Sequence, residues 1–309
     1  MARTKSEGPS DALRMGFVIL SHQPGNDLGP LVDALRSVYP DPPIVVHHDA
    51  SRGRLRVPTG VELVEPHVRT HWGGLGLVRA TVAGIEQLYR SASPDWFTLL
   101  STVDYPLASG ESVLAEIAAS GYDAYLESAR VAPGEPGWHG EVIERYFGNR
   151  FWLGSHSRLI ALARRPHWNL GFAGGPFARF GNIFDDEYRC YGGSQWFSGN
   201  RRVAKVLIDS PSTHRALWRR YRHVAVPDES LIHTVLGNTP GLRLGPSRRF
   251  YEFAPQGGPV EITPARAQEL LRGDFWFGRK VSPGNEETRA FLDRALGVRA
   301  RAASERSSG

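Results

Sequence analysis

The feature that most constrains the fold is an alternation of strand-like and helix-like segments over the first 130 residues. An apolar run at residues 16–20 is followed by apolar positions at helical spacing from Leu28 to Leu35, and then by a second apolar run at residues 43–46. A strand, a helix and a second strand in this order favour two parallel strands, because the helix returns the chain to the edge where the first strand began. The sequence therefore predicts an α/β fold with a Rossmann-like amino-terminal half.

The same alternation continues to residue 126. Val78, Val82 and Ile85 recur at helical spacing, and the nearly uninterrupted apolar run at residues 96–100 predicts a strand that is buried on both faces. A further helix is expected to end at Gly121, followed by a strand at residues 122–126. From residue 132 to residue 191, glycine, proline, tryptophan and arginine interrupt the pattern, which indicates loops and a less regular lobe.

Helix signals return in the last third of the chain. We expect a helix over residues 229–236, a second that begins at Thr263 as its N-cap, and a third from Asn285 to Gly297. The polar residues 1–14 and the Arg-, Ser- and Ala-rich residues 298–309 are predicted to be flexible termini. This leaves a single domain over residues 15–297, with a first half at residues 15–130 and a second half at residues 131–297.

Composition excludes several classes of protein. The 309 residues include one cysteine, Cys190, so the chain has no internal disulfide and fits a reducing compartment. The apolar run at residues 15–20 is too short for a membrane span or a signal peptide, and we expect a cytoplasmic protein without membrane insertion. The net charge of +5 comes from scattered arginines without a nucleic-acid-binding motif, so no nucleic-acid partner is expected. Oligomeric state is left open.

Asp104 follows the carboxyl end of the predicted strand at residues 96–100. This is the edge at which open α/β sheets bind their ligands, so Asp104 is a candidate site residue. The alternative is that Asp104 only caps a turn before Pro106, since Asp-x-Pro turns are common.

Two acidic residues, Asp228 and Glu229, stand directly after Pro227 at the start of a predicted helix. The unpaired N–H groups and the dipole of a helix start favour an ionised carboxylate, which can accept a proton as a general base. The alternative is that both residues only cap the helix.

Two further segments have a composition suited to sugar nucleotides. The adjacent cations Arg279 and Lys280 follow an aromatic patch, and such a pair can grip a pyrophosphate and stabilise the charge of a nucleoside-diphosphate leaving group. Ser194, Gln195 and Trp196 follow two glycines, which gives an adaptable turn and an indole able to stack on a sugar face. The alternatives are a solvated cation pair and a surface turn beside a core tryptophan.

The chain lacks the signals of two other kinds of site. Its histidines have no metal-ligand spacing, and the Asp-Asp-Glu run at residues 185–187 is typical of a solvated acidic turn, so no metal and no other cofactor is expected. A nicotinamide dehydrogenase is also excluded. It would need Gly-x-Gly-x-x-Gly after the first strand, where this chain has only Gly25 and Gly29.

In order along the chain, seven segments resemble the core-2/I-branching N-acetylglucosaminyltransferases and peptide O-xylosyltransferases. They extend from about residue 16 to residue 281, and each alone is weak, but the ordered set is specific. The segments are FVILSH at 17–22, VHHD at 46–49, HWGG at 71–74, LSTVDYPL at 100–107, GSQW at 193–196, PDES at 227–230 with HTVL at 233–236, and FGRK at 277–280.

The resemblance implies a GT-A-like fold with a central mixed sheet, a UDP-sugar donor, inversion at the anomeric carbon and no metal requirement. Glu229 would be the general base, and Arg279 and Lys280 would hold the diphosphate. Asp104 would lie in the catalytic site at the donor or acceptor sugar. Residues 15–130 would be the nucleotide-binding half, and residues 131–297 the acceptor-binding and catalytic half.

The resemblance also assigns the remaining site residues. The uridine would be contacted by Ser21, His22, Gln23 and Asp49, and the sugar and acceptor by Trp196, Gln195, Ser194, Trp72 and Asp228. The transferred sugar would be GlcNAc, xylose or a related sugar, and the acceptor hydroxyl would belong to a glycan or a small molecule. The chain looks like a bacterial member of the family. The alternative is a catalytically silent protein of the same fold that binds a nucleotide sugar or a carbohydrate.

Overall fold

The computed structural model describes residues 13–23, 27–134, 140–147, 150–151, 170–171, 183–255 and 257–298. The helices in these ranges are α1 (Gly29–Val38), α2 (Gly76–Ser91), α3 (Gly110–Ser120), α4 (Gly140–Phe147), α5 (Arg201–Thr213), α6 (Arg215–Tyr221), α7 (Leu231–Gly237), α8 (Pro264–Leu270) and α9 (Glu286–Leu296). The strands are β1 (Met15–Ser21), β2 (Ile44–His48), β3 (Glu62–Leu63), β4 (Trp96–Ser101), β5 (Asp104–Pro106), β6 (Ala124–Tyr125), β7 (Ala129–Arg130), β8 (Arg150–Phe151), β9 (Leu170–Gly171), β10 (Tyr191–Gly192), β11 (Ser198–Asn200), β12 (Leu244–Gly245), β13 (Arg249–Tyr251) and β14 (Phe277–Arg279).

A seven-stranded sheet forms the centre of the described fold, in the order β12-β6-β11-β4-β1-β2-β3. β1 pairs in parallel with both β2 and β4, so the carboxyl ends of these three strands lie at the same edge. β11 runs antiparallel to β4 and β6, which makes the sheet mixed. The Rossmann-like first half and the central mixed sheet of a GT-A-like fold are therefore confirmed.

β1 separates two layers of the hydrophobic core because successive side chains of a strand point to opposite faces of the sheet. Val18 and Leu20 pack in one layer with residues of α2, α5 and α7. Phe17 and Ile19 pack in the other layer with residues of α1, α3 and α9. Helices thus cover the sheet on both sides, as expected where the central strands are parallel.

A smaller sheet, in the order β13-β14-β5, connects the carboxyl-terminal segment to the main sheet. β5 follows β4 after a two-residue turn, and β14 pairs antiparallel with β5 so that Arg279 lies opposite Asp104. β13 pairs in parallel with β14, with Tyr251 opposite Arg279. Through this sheet, β13 and β14 of the last third of the chain lie next to β5, just past the carboxyl end of the buried strand β4.

Three predicted helix ends are confirmed. α3 is followed by Gly121 in the left-handed conformation, with φ 64°. The side chain of Thr263 accepts a hydrogen bond from the Arg266 N–H at the start of α8, and the side chain of Asn285 accepts one from the Thr288 N–H at the start of α9. Thr263 and Asn285 therefore act as the N-caps that their positions in the sequence predict.

The predicted helix start at residue 229 is wrong. Pro227–Glu229 forms a separate 3₁₀ turn, and α7 begins only at Leu231. Ser230, with φ −144° and ψ −42°, leaves the helical region between the two elements. Glu229 is therefore carried by a short turn of its own and not by the first turn of a long helix.

The ends of the chain were predicted to be flexible. Arg14 is held in place, because its carbonyl oxygen accepts hydrogen bonds from the backbone N–H groups of Asp95 and Trp96. Residues 1–12 and 299–309, and most of the predicted irregular lobe at residues 132–191, lie outside the described ranges. Within those ranges, no helix combines the length and the apolar character that crossing a membrane requires.

Candidate functional site

A cavity of about 530 Å³ lies where α2, α4, the 3₁₀ turn Pro227–Glu229 and β13 come together. This volume is in the usual range for a small-molecule site. The residues that line it include seven of the predicted site residues: Trp72, Ser194, Gln195, Trp196, Asp228, Glu229 and Arg279. The other six predicted residues, Ser21, His22, Gln23, Asp49, Asp104 and Lys280, are not part of its lining.

The turn that carries Glu229 is fixed at its entry by two hydrogen bonds to Val226. The Val226 N–H donates to the Gly73 carbonyl oxygen at 2.9 Å, and the Tyr146 hydroxyl donates to the Val226 carbonyl oxygen at 3.1 Å. Val226 has φ 53° and ψ 53°, a left-handed conformation that is unfavourable for a β-branched residue. Strain of this kind concentrates at functional sites, where the surrounding contacts hold it in place.

A buried hydroxyl cluster fixes the exit of the same turn. The Ser230 hydroxyl donates to the Tyr191 carbonyl oxygen at 2.7 Å and accepts from the Tyr221 hydroxyl at 2.6 Å. The Thr234 hydroxyl accepts from the Tyr191 N–H at 3.0 Å. Ser230 and Thr234 are fully buried, so these bonds lock the beginning of α7 to β10. Glu229 is thus held from both sides, by the cavity-lining Val226 and Tyr146 at the entry and by the buried Ser230 and Thr234 at the exit.

Glu229 reaches the cavity with a half-exposed carboxylate whose closest cation is Arg145 of α4. Oε2 of Glu229 lies 3.6 Å from Nη1 of Arg145, and the two side chains are 52% and 26% exposed. Burial raises the pKa of Glu229 above its ordinary value, Arg145 opposes that rise, and Glu127 across the cavity adds to it. The carboxylate can therefore accept a proton, and Arg145 favours its ionised form.

Asp228 lies beside Glu229 but is much more buried. Burial raises the pKa of Asp228 to about 7, and the neighbouring charge of Glu229 contributes to the rise. Its Oδ1 atom is buried and has no hydrogen-bond partner among the residues that the structure describes. A carboxyl group that is poised between its two forms and has an unused oxygen can donate to, or accept from, a hydroxyl of a bound molecule.

The turn at residues 193–196 is packed directly against the turn that carries Glu229. The Gly193 N–H donates to the Glu229 carbonyl oxygen at 2.9 Å. A Cβ atom at position 193 would lie 2.0 Å from the Glu127 carbonyl oxygen and 3.3 Å from the ring of the buried His233. Glycine is required at position 193 because the segment that carries Glu127 approaches too closely to leave room for a side chain.

Arg279 and Trp196 form a stacked pair in the wall of the cavity. The Arg279 guanidinium lies over the Trp196 ring, 4.5 Å from the ring centroid. Stacking on an aromatic ring fixes the plane of a guanidinium and leaves its edge able to donate hydrogen bonds to an anion. The sequence predicted both residues for different roles, and the structure brings them into contact.

Asp104 lies behind this pair rather than in the cavity. It is 2% exposed, and its Oδ2 atom accepts a hydrogen bond from the Ser101 hydroxyl at 2.6 Å and one from the Ser101 N–H. The nearby Arg249 is also buried and donates to the Leu99 carbonyl oxygen at 2.7 Å. Burial lowers the pKa of Arg249 to about 10 and the charge of Asp104 opposes that fall, so Arg249 still carries a positive charge at neutral pH.

Lys280 points away from the cavity, although it follows Arg279 directly. Its Nζ atom lies 3.4 Å from Oε1 of Glu261, and both side chains are partly exposed. Hydrogen bonds from Ser282 and Asn285 help to keep the pKa of Glu261 below its ordinary value, and Lys280 contributes to that effect. The structure therefore separates the two cations that the sequence places side by side.

The four residues predicted to bind the uridine lie around the carboxyl ends of β1 and β2. The Asp49 N–H donates to the Ser21 carbonyl oxygen at 3.2 Å, and His22 and Gln23 are exposed just beyond. The Asp49 carboxylate itself is fully buried and accepts hydrogen bonds from the N–H and hydroxyl groups of Ser51 and Thr70. Burial alone would raise the pKa of Asp49, but these bonds outweigh it and hold the pKa below its usual range.

The acidic run at residues 185–187 forms the turn that the sequence predicts. The Asp185 carboxylate accepts hydrogen bonds from the N–H groups of Glu187 and Tyr188, and the side chain of Asp186 is fully exposed. Across the described ranges, no group of three or more His, Cys, Asp and Glu side chains is arranged to hold a metal ion. That the reaction needs no metal stays a prediction.

Four charged or polar residues of the cavity lining were not predicted from the sequence: Glu127, Arg145, Tyr146 and Tyr251. Glu127 comes just after β6 and accepts a hydrogen bond from the Tyr251 hydroxyl. The rule that selected Asp104, an acid just past the end of a strand, would also have selected Glu127. Arg145 gave no comparable signal, because α4 lies in the part of the chain where the apolar pattern is weak.

Comparison with known proteins agrees with the ordered motifs. The family model "Core-2/I-Branching enzyme" matches residues 43–249, more than half of the chain. Xylosyltransferase 2 of Rattus norvegicus is 25% identical over 313 residues, covering 91% of this chain and 33% of the relative. Xylosyltransferase 1 of Homo sapiens is 24% identical over 244 residues, covering 75% of this chain and 23% of the relative. The chain thus spans about a third or less of the length of these relatives.

A solved structure, the apo form of the WbbM bifunctional glycosyltransferase, is similar over 97% of this chain and 52% of its own, with a TM-score of 0.37 and 11% identity. The family resemblance expected from the seven segments is confirmed. The chain belongs to the Core-2/I-Branching enzyme family of glycosyltransferases.

Proposed function

We propose that the chain transfers a sugar from a UDP-sugar to an acceptor hydroxyl with inversion at the anomeric carbon. The observation that carries this proposal is that one cavity contains the carboxylate of Glu229 and the stacked guanidinium of Arg279, which come from distant segments of the chain. Sugar transfer with inversion needs a base on the acceptor side and positive charge on the side of the leaving group.

Glu229 is the proposed base. It takes the proton from the acceptor hydroxyl while the hydroxyl oxygen attacks the anomeric carbon. The bond between that carbon and the diphosphate oxygen breaks on the opposite face, and its electron pair leaves with UDP, so the configuration at the carbon inverts. The half-exposed position of Glu229 makes the carboxylate accessible, and Arg145 favours the ionised form that can accept the proton.

Arg279 is the proposed partner of the diphosphate. The charge that develops on UDP is stabilised best by a cation that is already oriented, and stacking on Trp196 provides that orientation. Lys280 would join it by exchanging Glu261 for a phosphate oxygen. Breaking the Lys280–Glu261 ion pair costs little free energy, because a partly exposed ion pair contributes little stability.

The nucleotide is proposed to lie across the carboxyl ends of β1 and β2. His22 and Gln23 are exposed there and can contact the uracil or the ribose. Asp49 acts by shaping this loop, since its carboxylate is already saturated by Ser51 and Thr70. Asp104 acts on the sugar side through the strand pair β5–β14, which sets the position of Arg279.

The sugar and the acceptor are proposed to meet between the turn at residues 194–196, Trp72 and Asp228, all of which line the cavity. The donor sugar is GlcNAc, xylose or a related sugar. No metal is required, because protein cations take the role that a divalent ion has in other sugar transfer reactions.

The experiment is a measurement of UDP release from a panel of UDP-sugars (GlcNAc, glucose, xylose, glucuronate and galactose), in chelator and in manganese. Slow hydrolysis of the donor needs no acceptor, so the assay is independent of acceptor identity. We expect release from one donor at equal rates in both buffers. Activity only with manganese would refute the metal-free proposal, and absence of both UDP release and UDP binding would refute the function itself.

A further inference from the structure

Two of the most exposed apolar side chains in the described ranges lie at the same cavity as Glu229. Trp72 is 73% exposed and Phe253 is 62% exposed, and both line the cavity. Single exposed apolar residues are ordinary on protein surfaces. Two aromatic rings at the mouth of one polar site are different, because a ligand that enters the site covers both and removes their apolar surface from water.

The wall on the Trp72 side offers a bound molecule mostly apolar surface. It continues from Trp72 through Leu77 and Val142 to Val226. The backbone polar groups along this wall are occupied, since the Gly73 carbonyl accepts from the Val226 N–H and the Val226 carbonyl accepts from the Tyr146 hydroxyl. A hydroxyl-rich face of a sugar laid against this wall would lose hydrogen bonds to water without replacement.

A hairpin that presents Phe253 forms another part of the cavity wall. The Val260 N–H donates to the Glu252 carbonyl oxygen at 2.7 Å, and a bridge joins Phe253 to Pro259. The Phe253 ring also packs edge-on against the Tyr251 ring, with centroids 5.5 Å apart. The hairpin and Tyr251 therefore support Phe253 in its exposed position. The hydroxyl of Tyr251 is used by Glu127, and Phe253 and Pro259 give this part of the wall an apolar surface.

The charges of the cavity argue against an acidic ligand. Its two cations, Arg145 and Arg279, face three carboxyl groups, those of Glu127, Asp228 and Glu229. Arg145 is engaged with Glu229, and the proposed function assigns Arg279 to the diphosphate. No cation of the described lining is therefore left over for an acidic acceptor.

We propose that the acceptor is a molecule without an anionic group whose hydroxyl is carried on an aromatic ring system. The ring lies between Trp72 and Phe253, where offset or edge-on packing of aromatic rings is favourable, and its hydroxyl points to Glu229. This inference rests on the proposed function, since it names the substrate class for the same site. It places the selectivity of the enzyme in two aromatic side chains that the transfer reaction itself does not need.

The test uses 2-naphthol as the aromatic probe, with methyl β-galactoside and a serine-containing peptide as the glycan-like and peptide alternatives. Binding is measured by calorimetry in the presence of UDP, and acceptor-dependent UDP release is measured with the donor found active. We expect 2-naphthol to bind at least about tenfold more tightly than either alternative. Trp72→Ala and Phe253→Ala should each weaken the binding of 2-naphthol by about tenfold, the loss of affinity expected when one aromatic contact is removed.

Val260→Ala is the matched control, because Val260 is 40% exposed on the same hairpin but does not line the cavity. It should leave 2-naphthol binding unchanged within about twofold. Trp72→Phe, which retains a ring, should restore most of the affinity lost in Trp72→Ala and thereby exclude misfolding as the cause. Tighter binding of the glycoside or the peptide, or full 2-naphthol affinity in both alanine variants, would overturn the inference. UDP release by the wild-type protein in that case would leave the proposed function standing.

Discussion

Replacing Arg145 with glutamine tests whether Arg145 keeps the proposed base ionised. Nη1 of Arg145 lies 3.6 Å from Oε2 of Glu229. At this separation two unit charges attract by about 1 kcal/mol with the screening of water, and by several kcal/mol in a less polar environment. Because the side chains are 26% and 52% exposed, we expect the lower figure. Removing the charge therefore raises the pKa of Glu229, because Arg145 opposes the rise that burial causes.

The assay is the pH dependence of kcat/KM, which reports ionisations of the free enzyme. A base works only when it is deprotonated, so the rate falls as the pH drops through the pKa of Glu229. In Arg145→Gln that acid limb should move to higher pH, and at a fixed pH on the limb kcat/KM should fall by up to about fivefold, the factor to which about 1 kcal/mol corresponds. Arg145→Lys retains the charge and should move the limb less. Arg130→Gln, which removes a cation that faces the exposed Asp186, serves as the distant control.

Two neighbouring groups have to be separated from this effect. Asp228, whose pKa is raised by burial to about 7, adds its own ionisation to the profile, and Glu127 also acts on Glu229. The profiles are therefore also recorded in the Asp228→Asn and Glu127→Gln backgrounds, where the shift caused by Arg145→Gln should persist. If Arg145→Gln lowers the plateau of kcat/KM but leaves the acid limb at the same pH, Arg145 only supports the structure of the site. That result would refute its role in keeping Glu229 ionised.

Two further predictions concern the framework of the site. Gly193→Ala should reduce kcat by at least about tenfold, because its Cβ would lie 2.0 Å from the Glu127 carbonyl oxygen and the turn bonded to Glu229 has to move; Gly284→Ala, where nothing lies within 4 Å, should match the wild type, and equal kcat values would contradict this account. Ser230→Ala should lower the free energy of unfolding by about 1–3 kcal/mol, since it removes the 2.6 Å partner of the buried Tyr221 hydroxyl and leaves the Tyr191 carbonyl oxygen with the longer bond from the Thr234 hydroxyl at 3.2 Å. Thermal denaturation of Ser230→Ala beside the exposed-site variant Ser91→Ala measures this loss, and identical midpoints would argue against it.

The fold follows from the sequence where burial is uniform and local. The run at residues 96–100 is apolar throughout because β4 is covered on both faces, and this signal needs no knowledge of the rest of the chain. Asn285 and Gly297 mark the ends of α9 because capping depends on adjacent backbone groups alone. Such elements could be placed from local sequence alone.

The arrangement of the site depends on contacts between distant segments, and much of it could not be predicted. Arg279 and Lys280 are adjacent in sequence, but pairing with Glu261 draws Lys280 away from the cavity. Asp49 was predicted to contact the uridine, yet its carboxylate already accepts hydrogen bonds from Thr70 and Ser51. Arg145 acts only through its position beside Glu229.

The position of Glu229 was predicted as a helix start, and the structure shows a separate 3₁₀ turn. The difference arises from long-range hydrogen bonds. Gly73 and Tyr146 bind Val226 on one side of the turn, and Tyr191 and Tyr221 bind Ser230 on the other. Local propensity favours a helix through this segment, but these contacts override it. The cytoplasmic location and the bacterial source stay predictions from composition.

The most direct test of the account compares wild-type protein with Glu229→Gln in UDP release and in calorimetric UDP binding, with the exposed-site variant Glu111→Gln as control. Glutamine retains the size of the side chain and removes its ability to take a proton. We expect UDP release to fall by a factor of about 10²–10⁴ in Glu229→Gln, with UDP affinity retained and Glu111→Gln fully active. Wild-type turnover in Glu229→Gln would contradict the assignment of Glu229 as the base and with it the proposed mechanism.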